Sequence, residues 1–80
     1  MSQAVRTALD LMTVELGKKQ GQHYRAEFTV KDVLGRLGKP NTTKNQNYVK
    51  YVVGQRYQES KVLLGQGDNG GLIQMKIWSV

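Results

Sequence analysis

Lys44, Asn47 and Tyr51 recur at spacings of three and four within TTKNQNYVKYVVGQRYQ, which places an ammonium, a carboxamide and a phenol on one face of a helix. That set suits a polyanion with readable edges. A lysine neutralises a phosphate or reaches guanine acceptors, an asparagine pairs bidentately with adenine, and a tyrosine bonds a phosphate or packs on a thymine methyl. At about 100° per residue, Gly54 and Gln58 complete the face, Tyr48 and Lys50 flank it, and Val49, Val52 and Val53 gather opposite as a core stripe. No acidic residue interrupts the stretch. Thr42 or Thr43 is first a helix cap, and both add hydroxyls and free backbone amides able to meet a phosphate. Taken singly, Lys44 and Lys50 read as solvated lysines; the shared face with Asn47 and Tyr51 is what points to DNA. Tyr51 reads equally well as a dimer anchor. Asn45 reads as a cap near the turn, Gly54 as a point of close approach or a tolerated glycine, and Arg56 as a stem spread over the core.

Other chemistries find less material. His23 is the only histidine and there is no cysteine, so no metal cluster or histidine-activated nucleophile can be assembled. Asp10 and Glu15 are five apart and do not share a helix face, so both read as solvated, and His23 reads as a connector residue. In GRLGK, a phosphate-binding loop would need glycine at position 33 and Ser or Thr at 40, where Val33 and Pro40 stand. The order of elements also departs from both arrangements of the KH RNA-binding domain. The plainer reading makes Gly38 a helix stop and Gly35 a site of tight packing. No enzyme activity, cofactor or metal is expected.

Eighty residues support one hydrophobic core, so positions 1–80 form a single domain. No apolar run is long enough to span a bilayer as a helix, and MSQAVRTALD lacks the basic-then-apolar order of a secretory signal. With no cysteine, a cytoplasmic protein beginning at Met1 is expected. The net charge of +6 is uneven: residues 1–30 carry +1, residues 31–61 carry +5, and residues 62–80 are neutral. Lys31, Arg36, Lys39, Lys44, Lys50, Arg56 and Lys61 supply the excess, around the helix already singled out. A basic concentration of this kind attracts nucleic acid, or an acidic protein surface.

The positioning elements follow from periodicity. Val5, Leu9, Met12 and Leu16, widened by Ala8 and Leu11, predict an amphipathic helix from Ser2 to Leu16, stopped by Gly17 and followed by a polar connector KKQGQ. HYRAEF alternates loosely as a short strand with Tyr24, Ala26 and Phe28 on one side. Thr29 caps a second helix, with Asp32 completing an acidic capping box and Val30, Val33, Leu34 and Leu37 as its buried stripe. Pro40 makes KPN a turn, and a third helix runs from the Thr42–Thr43 cap to about Gln58. KVLL and LIQMKIW, separated by GQGDNGG, predict a closing hairpin with Ile73, Met75 and Ile77 on one face and Leu72 and Trp78 on the other.

Two short helices joined by a tight turn and followed by a hairpin resemble the winged helix-turn-helix family. TVKDVLGRLG matches its supporting helix, KPNT its turn, TKNQNYVKYVVGQRYQ its recognition helix and VLLGQGDNGGLIQMKIW its wing. The resemblance covers residues from about 28 to 78, with the first helix also in its usual place. It implies an α+β fold of three helices followed by a C-terminal β-hairpin wing. It also implies double-stranded DNA as partner, transcriptional regulation as role, and commonly a homodimer on paired half-sites. The expected DNA contacts are Thr42, Thr43, Lys44, Asn47, Tyr48, Lys50 and Tyr51, with Lys39 and Arg36 from the turn and supporting helix. The wing tip departs from the family pattern, for it holds Asp68 and no cation, leaving Gln66 or Asn69 for polar contacts. The alternative is a winged-helix protein-interaction module, an inhibitor or adaptor, docking the same basic face on an acidic protein or in a nucleic-acid site.

Overall fold

The computed structural model describes residues 2–63 and 68–78. Three helices, α1 (Ser2–Leu16), α2 (Val30–Leu37) and α3 (Thr43–Arg56), combine with four strands, β1 (Lys18–Gln20), β2 (His23–Thr29), β3 (Lys61–Leu63) and β4 (Leu72–Trp78). The architecture is α+β. The strands form one antiparallel sheet in the order β1-β2-β4-β3, with Tyr24 opposite Ile77, Phe28 opposite Ile73 and Val62 opposite Ile73 from the other side.

The helices share one face of this sheet. Val5, Ala8, Leu9 and Met12 of α1, Val30, Val33 and Leu34 of α2, and Val49, Val52 and Val53 of α3 meet Ala26, Phe28, Ile73 and Met75 in one buried cluster. Strand alternation sends Arg25, Glu27, Gln74, Lys76 and Trp78 to the other face. Thr13, fully buried, donates its hydroxyl to the Leu9 carbonyl (2.6 Å) and so carries no unsatisfied polar atom.

Several elements differ from what periodicity predicts. The connector KKQGQ folds as strand β1 and a two-residue turn, because Gly21 (φ 64°) supplies the positive φ needed between Gln20 and His23. The chain therefore runs α-β-β-α-α-β-β, with a hairpin ahead of α2 as well as one at the end. α3 ends at Arg56, two residues before Gln58, where Tyr57 turns to extended backbone. Leu11 and Leu16 are exposed; α1 buries the narrower stripe Val5, Ala8, Leu9, Met12 and Thr13.

Glycine roles also shift. Gly17 does not take positive φ. Glycine is required there by contact, since an added Cβ would collide with the backbone oxygens of Thr13 and Arg25 and come within 2.9 Å of the Ala26 Cβ. Gly35 is exposed with nothing within 4 Å of an added Cβ, so it is no packing site, and Gly54 stands equally open. Gly35→Ala and Gly54→Ala are each expected to stabilise the fold by about 0.5–1 kcal/mol, since alanine in a helix interior loses less backbone freedom. Thermal denaturation followed by circular dichroism checks both.

The α1–α3 junction is closed by Tyr57, whose hydroxyl donates to Asp10 Oδ1 (2.7 Å) and lies 3.2 Å from the Arg6 carbonyl. Burial, and then the Asp10 carboxylate accepting the phenol proton, push the Tyr57 pKa upward. The folded state thus holds this proton more tightly than the unfolded chain. Its stabilising contribution is complete below the ordinary tyrosine pKa of about 10 and is lost as pH rises beyond it. Tyr57→Phe is expected to cost about 1 kcal/mol at neutral pH and to flatten the alkaline fall in stability. Urea unfolding between pH 7 and 11 measures both effects.

Candidate nucleic-acid interface

The segment from α2 to α3 is shaped by local hydrogen bonds that its sequence dictates. Thr29 and Asp32 form the reciprocal capping box at the start of α2, at 3.0 Å in each direction. Gly38 (φ 67°) takes the left-handed conformation at the end, and the amides of Gly38 and Lys39 return to the carbonyls of Gly35 and Leu34. Pro40 then sets the turn. Its carbonyl accepts from the Thr42 amide (3.0 Å) and from Asn45 Nδ2 (2.9 Å). Thr42 caps α3 by accepting from the Asn45 amide (3.2 Å), which settles the choice between Thr42 and Thr43.

On α3, Val49, Val52 and Val53 face the core, and Lys44, Asn47, Tyr51 and Gly54 face solvent, as the helical wheel requires. Tyr51 is 63% exposed, high for an aromatic side chain without a partner. Among the described residues, none of Lys44, Asn47 and Tyr51 has a hydrogen-bond or ion-pair partner, so an ammonium, a carboxamide and a phenol are free together. Thr43 and Lys39 are exposed beside them, and Lys50 is half-buried at the flank. Tyr48 leans the other way, half-buried and packed against the core, which leaves only part of the side chain to a ligand. Asn45 is spent on the turn, as its position near the cap suggested.

One cation of the basic segment is committed elsewhere, and a second lines a groove beside α1. Arg36 donates to both carboxylate oxygens of Glu15 on α1 (2.7 and 2.9 Å), so Glu15 is not simply solvated and Arg36 is not a free charge. Hydrogen bonding to Arg36 is the main cause holding the Glu15 carboxyl below the usual carboxylate range. Arg56 is exposed and lines an open groove of about 790 Å³ with Arg6, Asp10, Leu11, Val14 and Trp78.

A set of hydrogen bonds that local sequence does not announce joins the root of the last hairpin to the turn. Asn41 Nδ2 donates to the Asp68 carbonyl (2.7 Å), and Gln46 Nε2 donates to Asn41 Oδ1 (2.6 Å) and to the same carbonyl (3.3 Å). The Lys31 amide donates to the Asn69 carbonyl (2.9 Å), and the Gly71 amide to Asn69 Oδ1 (3.3 Å). Asn69 is therefore used internally, Asp68 is exposed beside the start of α3, and Gln66 lies outside the described residues. The bonds from Lys31, Asn41 and Gln46 to the Asp68 and Asn69 carbonyls span 22 to 38 residues of chain, so only the folded arrangement makes them.

Among the described residues no group of three His, Asp or Glu side chains is placed to hold a metal ion, and no helix is long and apolar enough to cross a membrane. No protein-family model, curated protein or solved structure matches the chain.

Proposed function

We propose that this chain is a winged helix-turn-helix protein that binds double-stranded DNA, with α3 as the recognition helix in the major groove and a regulator of transcription as its role. On this reading α2 supports α3, and β3 with β4 forms the wing. β1 is an added strand at the sheet edge. The observation that carries the reading is the outward face of α3, where Lys44, Asn47 and Tyr51 are exposed together and unpartnered beside the free amides of the helix start. Lys39, Lys44 and Lys50 attract phosphates, Asn47 reads a base edge, and Thr43 and the first-turn amides meet the backbone. Nothing in this set does catalysis, and a homodimer on paired half-sites would supply the specificity that one short helix lacks.

A second reading has one observation in its favour. Asp68 is exposed and its backbone carbonyl accepts from Asn41 and Gln46 at the start of α3, so a residue of the wrong sign for phosphate stands near that helix end. That arrangement suits docking of the same face on an acidic protein, as an inhibitor or adaptor. Equilibrium binding to a random-sequence duplex pool across a salt series separates the two. With three lysines on phosphates, log affinity is expected to fall against log salt with a slope of about −2.7, at about −0.9 for each phosphate neutralised. A chain that binds no duplex at modest salt has lost the DNA reading, and the protein partner stands instead.

A further inference from the structure

The face of the sheet opposite the buried cluster carries a row of like charges. Lys18 stands directly opposite Arg25, and Arg25 directly opposite Lys76, on adjacent antiparallel strands. Neighbouring strands are about 4.8 Å apart, so three cations fall within about 10 Å on one face. Like charges placed directly opposite weaken a sheet. Only Lys76 is compensated, by Glu59 at 3.0 Å; among the described residues Lys18 and Arg25 have no carboxylate partner. Arg25 donates Nε to His23 Nε2 (3.3 Å), a contact that brings no carboxylate to its charge. Lys61 lines the same recess, about 560 Å³, with Lys18, Arg25 and Lys76, so four cations there face two carboxylates, Glu27 and Glu59.

Next to this row an indole lies open. Trp78 is 58% exposed, high for the largest apolar side chain in the protein. His23 meets it edge-on (5.6 Å, 71°) and Lys76 Nζ lies 4.9 Å from its ring centre, so its orientation is fixed without its being buried. Cations in a row beside a fixed, exposed aromatic ring form a backbone track with a stacking platform. A duplex keeps its bases stacked on one another and can use the charges only. An unpaired strand can use both.

We propose that the outer sheet face binds single-stranded nucleic acid, with phosphates on Lys18 and Arg25 and a base stacked on Trp78. Lys18 and Arg25 stand on the sheet face opposite the buried cluster, Trp78 borders the groove that Arg56 also lines, and none of these is Lys44, Asn47 or Tyr51, so the inference holds independently of the duplex reading.

Trp78 is the only tryptophan in the chain, so its emission reports this face. Titrating single-stranded oligothymidylate into the full-length chain is expected to quench that emission saturably. The Lys18→Gln, Arg25→Gln double variant is expected to bind the oligonucleotide at least about tenfold more weakly. Its salt slope should be shallower by about 1.4, at about 0.7 for each phosphate no longer neutralised, and its melting temperature unchanged or higher. Trp78→Leu, read by anisotropy of a labelled oligonucleotide, should lose affinity while remaining folded. The α3 variant lacking Lys44, Asn47 and Tyr51 should retain the full quench. The proposal is overturned by absence of quench, by undiminished affinity in the double variant, or by a melting temperature that falls there. Equal quenching by a duplex of the same length or by polyphosphate overturns it too, because charge alone would then account for binding. A chain that binds no duplex but shows the quench keeps this inference and loses only the α3 reading.

Discussion

Lys44→Ala, Asn47→Ala and Tyr51→Ala combined are expected to reduce duplex affinity by on the order of 100-fold or more while leaving the far-ultraviolet circular dichroism spectrum and cooperative melting intact. A good base contact is worth about 1–3 kcal/mol, and 1.4 kcal/mol is tenfold in affinity, so two such losses suffice. Folding should survive because all three side chains are exposed and unpartnered, whereas Val49, Val52 and Val53 hold the helix from behind. The single variants separate the roles. Lys44→Ala should weaken binding to every sequence alike and lower the salt slope by about 0.9, the amount one neutralised phosphate contributes. Asn47→Ala should leave the slope unchanged and relax preference at one base pair. Unchanged duplex affinity in the triple variant removes α3 as the reading element.

The second large effect concerns the fold. Gly17→Ala is expected to destabilise the protein by about 3 kcal/mol, at the upper end of typical overpacking. The added methyl would meet the carbonyl oxygens of Thr13 and Arg25, both held by the helix and the sheet, and the Ala26 Cβ at 2.9 Å. None of these can swing aside like the end of a flexible side chain, so α1 must move off β2. An 80-residue domain is expected to have about 4–12 kcal/mol in total, and each kcal/mol corresponds to about 4–8 °C in melting temperature. A fall of at least about 12 °C should follow. The open sites Gly35 and Gly54 provide the control, since the same Gly→Ala change there is expected to raise the melting temperature. A Gly17→Ala protein that melts with the wild type would show that α1 and β2 can separate at little cost.

Local physics made much of this chain legible. The Thr29–Asp32 box, the Gly38 stop, the Pro40 turn and the valine stripe of α3 are all set by residues within a few positions of one another, and each stands where periodicity and capping chemistry placed it. The connector KKQGQ was less legible because its strand character depends on pairing with β2; alone, those residues have no apolar alternation to read. Leu11 and Leu16 look like core in a helical pattern, but no element covers that edge of α1. Gly17 looks like a helix stop that needs left-handed backbone, but what requires glycine there is close contact with β2 and the last turn of α1.

Charge shows the division most plainly. Helix period and side-chain type are enough to present Lys44, Asn47 and Tyr51 on an acid-free face opposite a valine core, and residue order alone puts an excess of +5 in residues 31–61. Where that excess acts depends on the folded chain: Arg36 is taken by Glu15, Arg56 faces the groove beside α1, and Lys61 joins Lys18, Arg25 and Lys76 across the outer sheet. The reason is that helix periodicity is carried by neighbours in the chain, whereas a charge finds its partner through space. Strand register and helix packing bring together residues that sequence separation keeps apart.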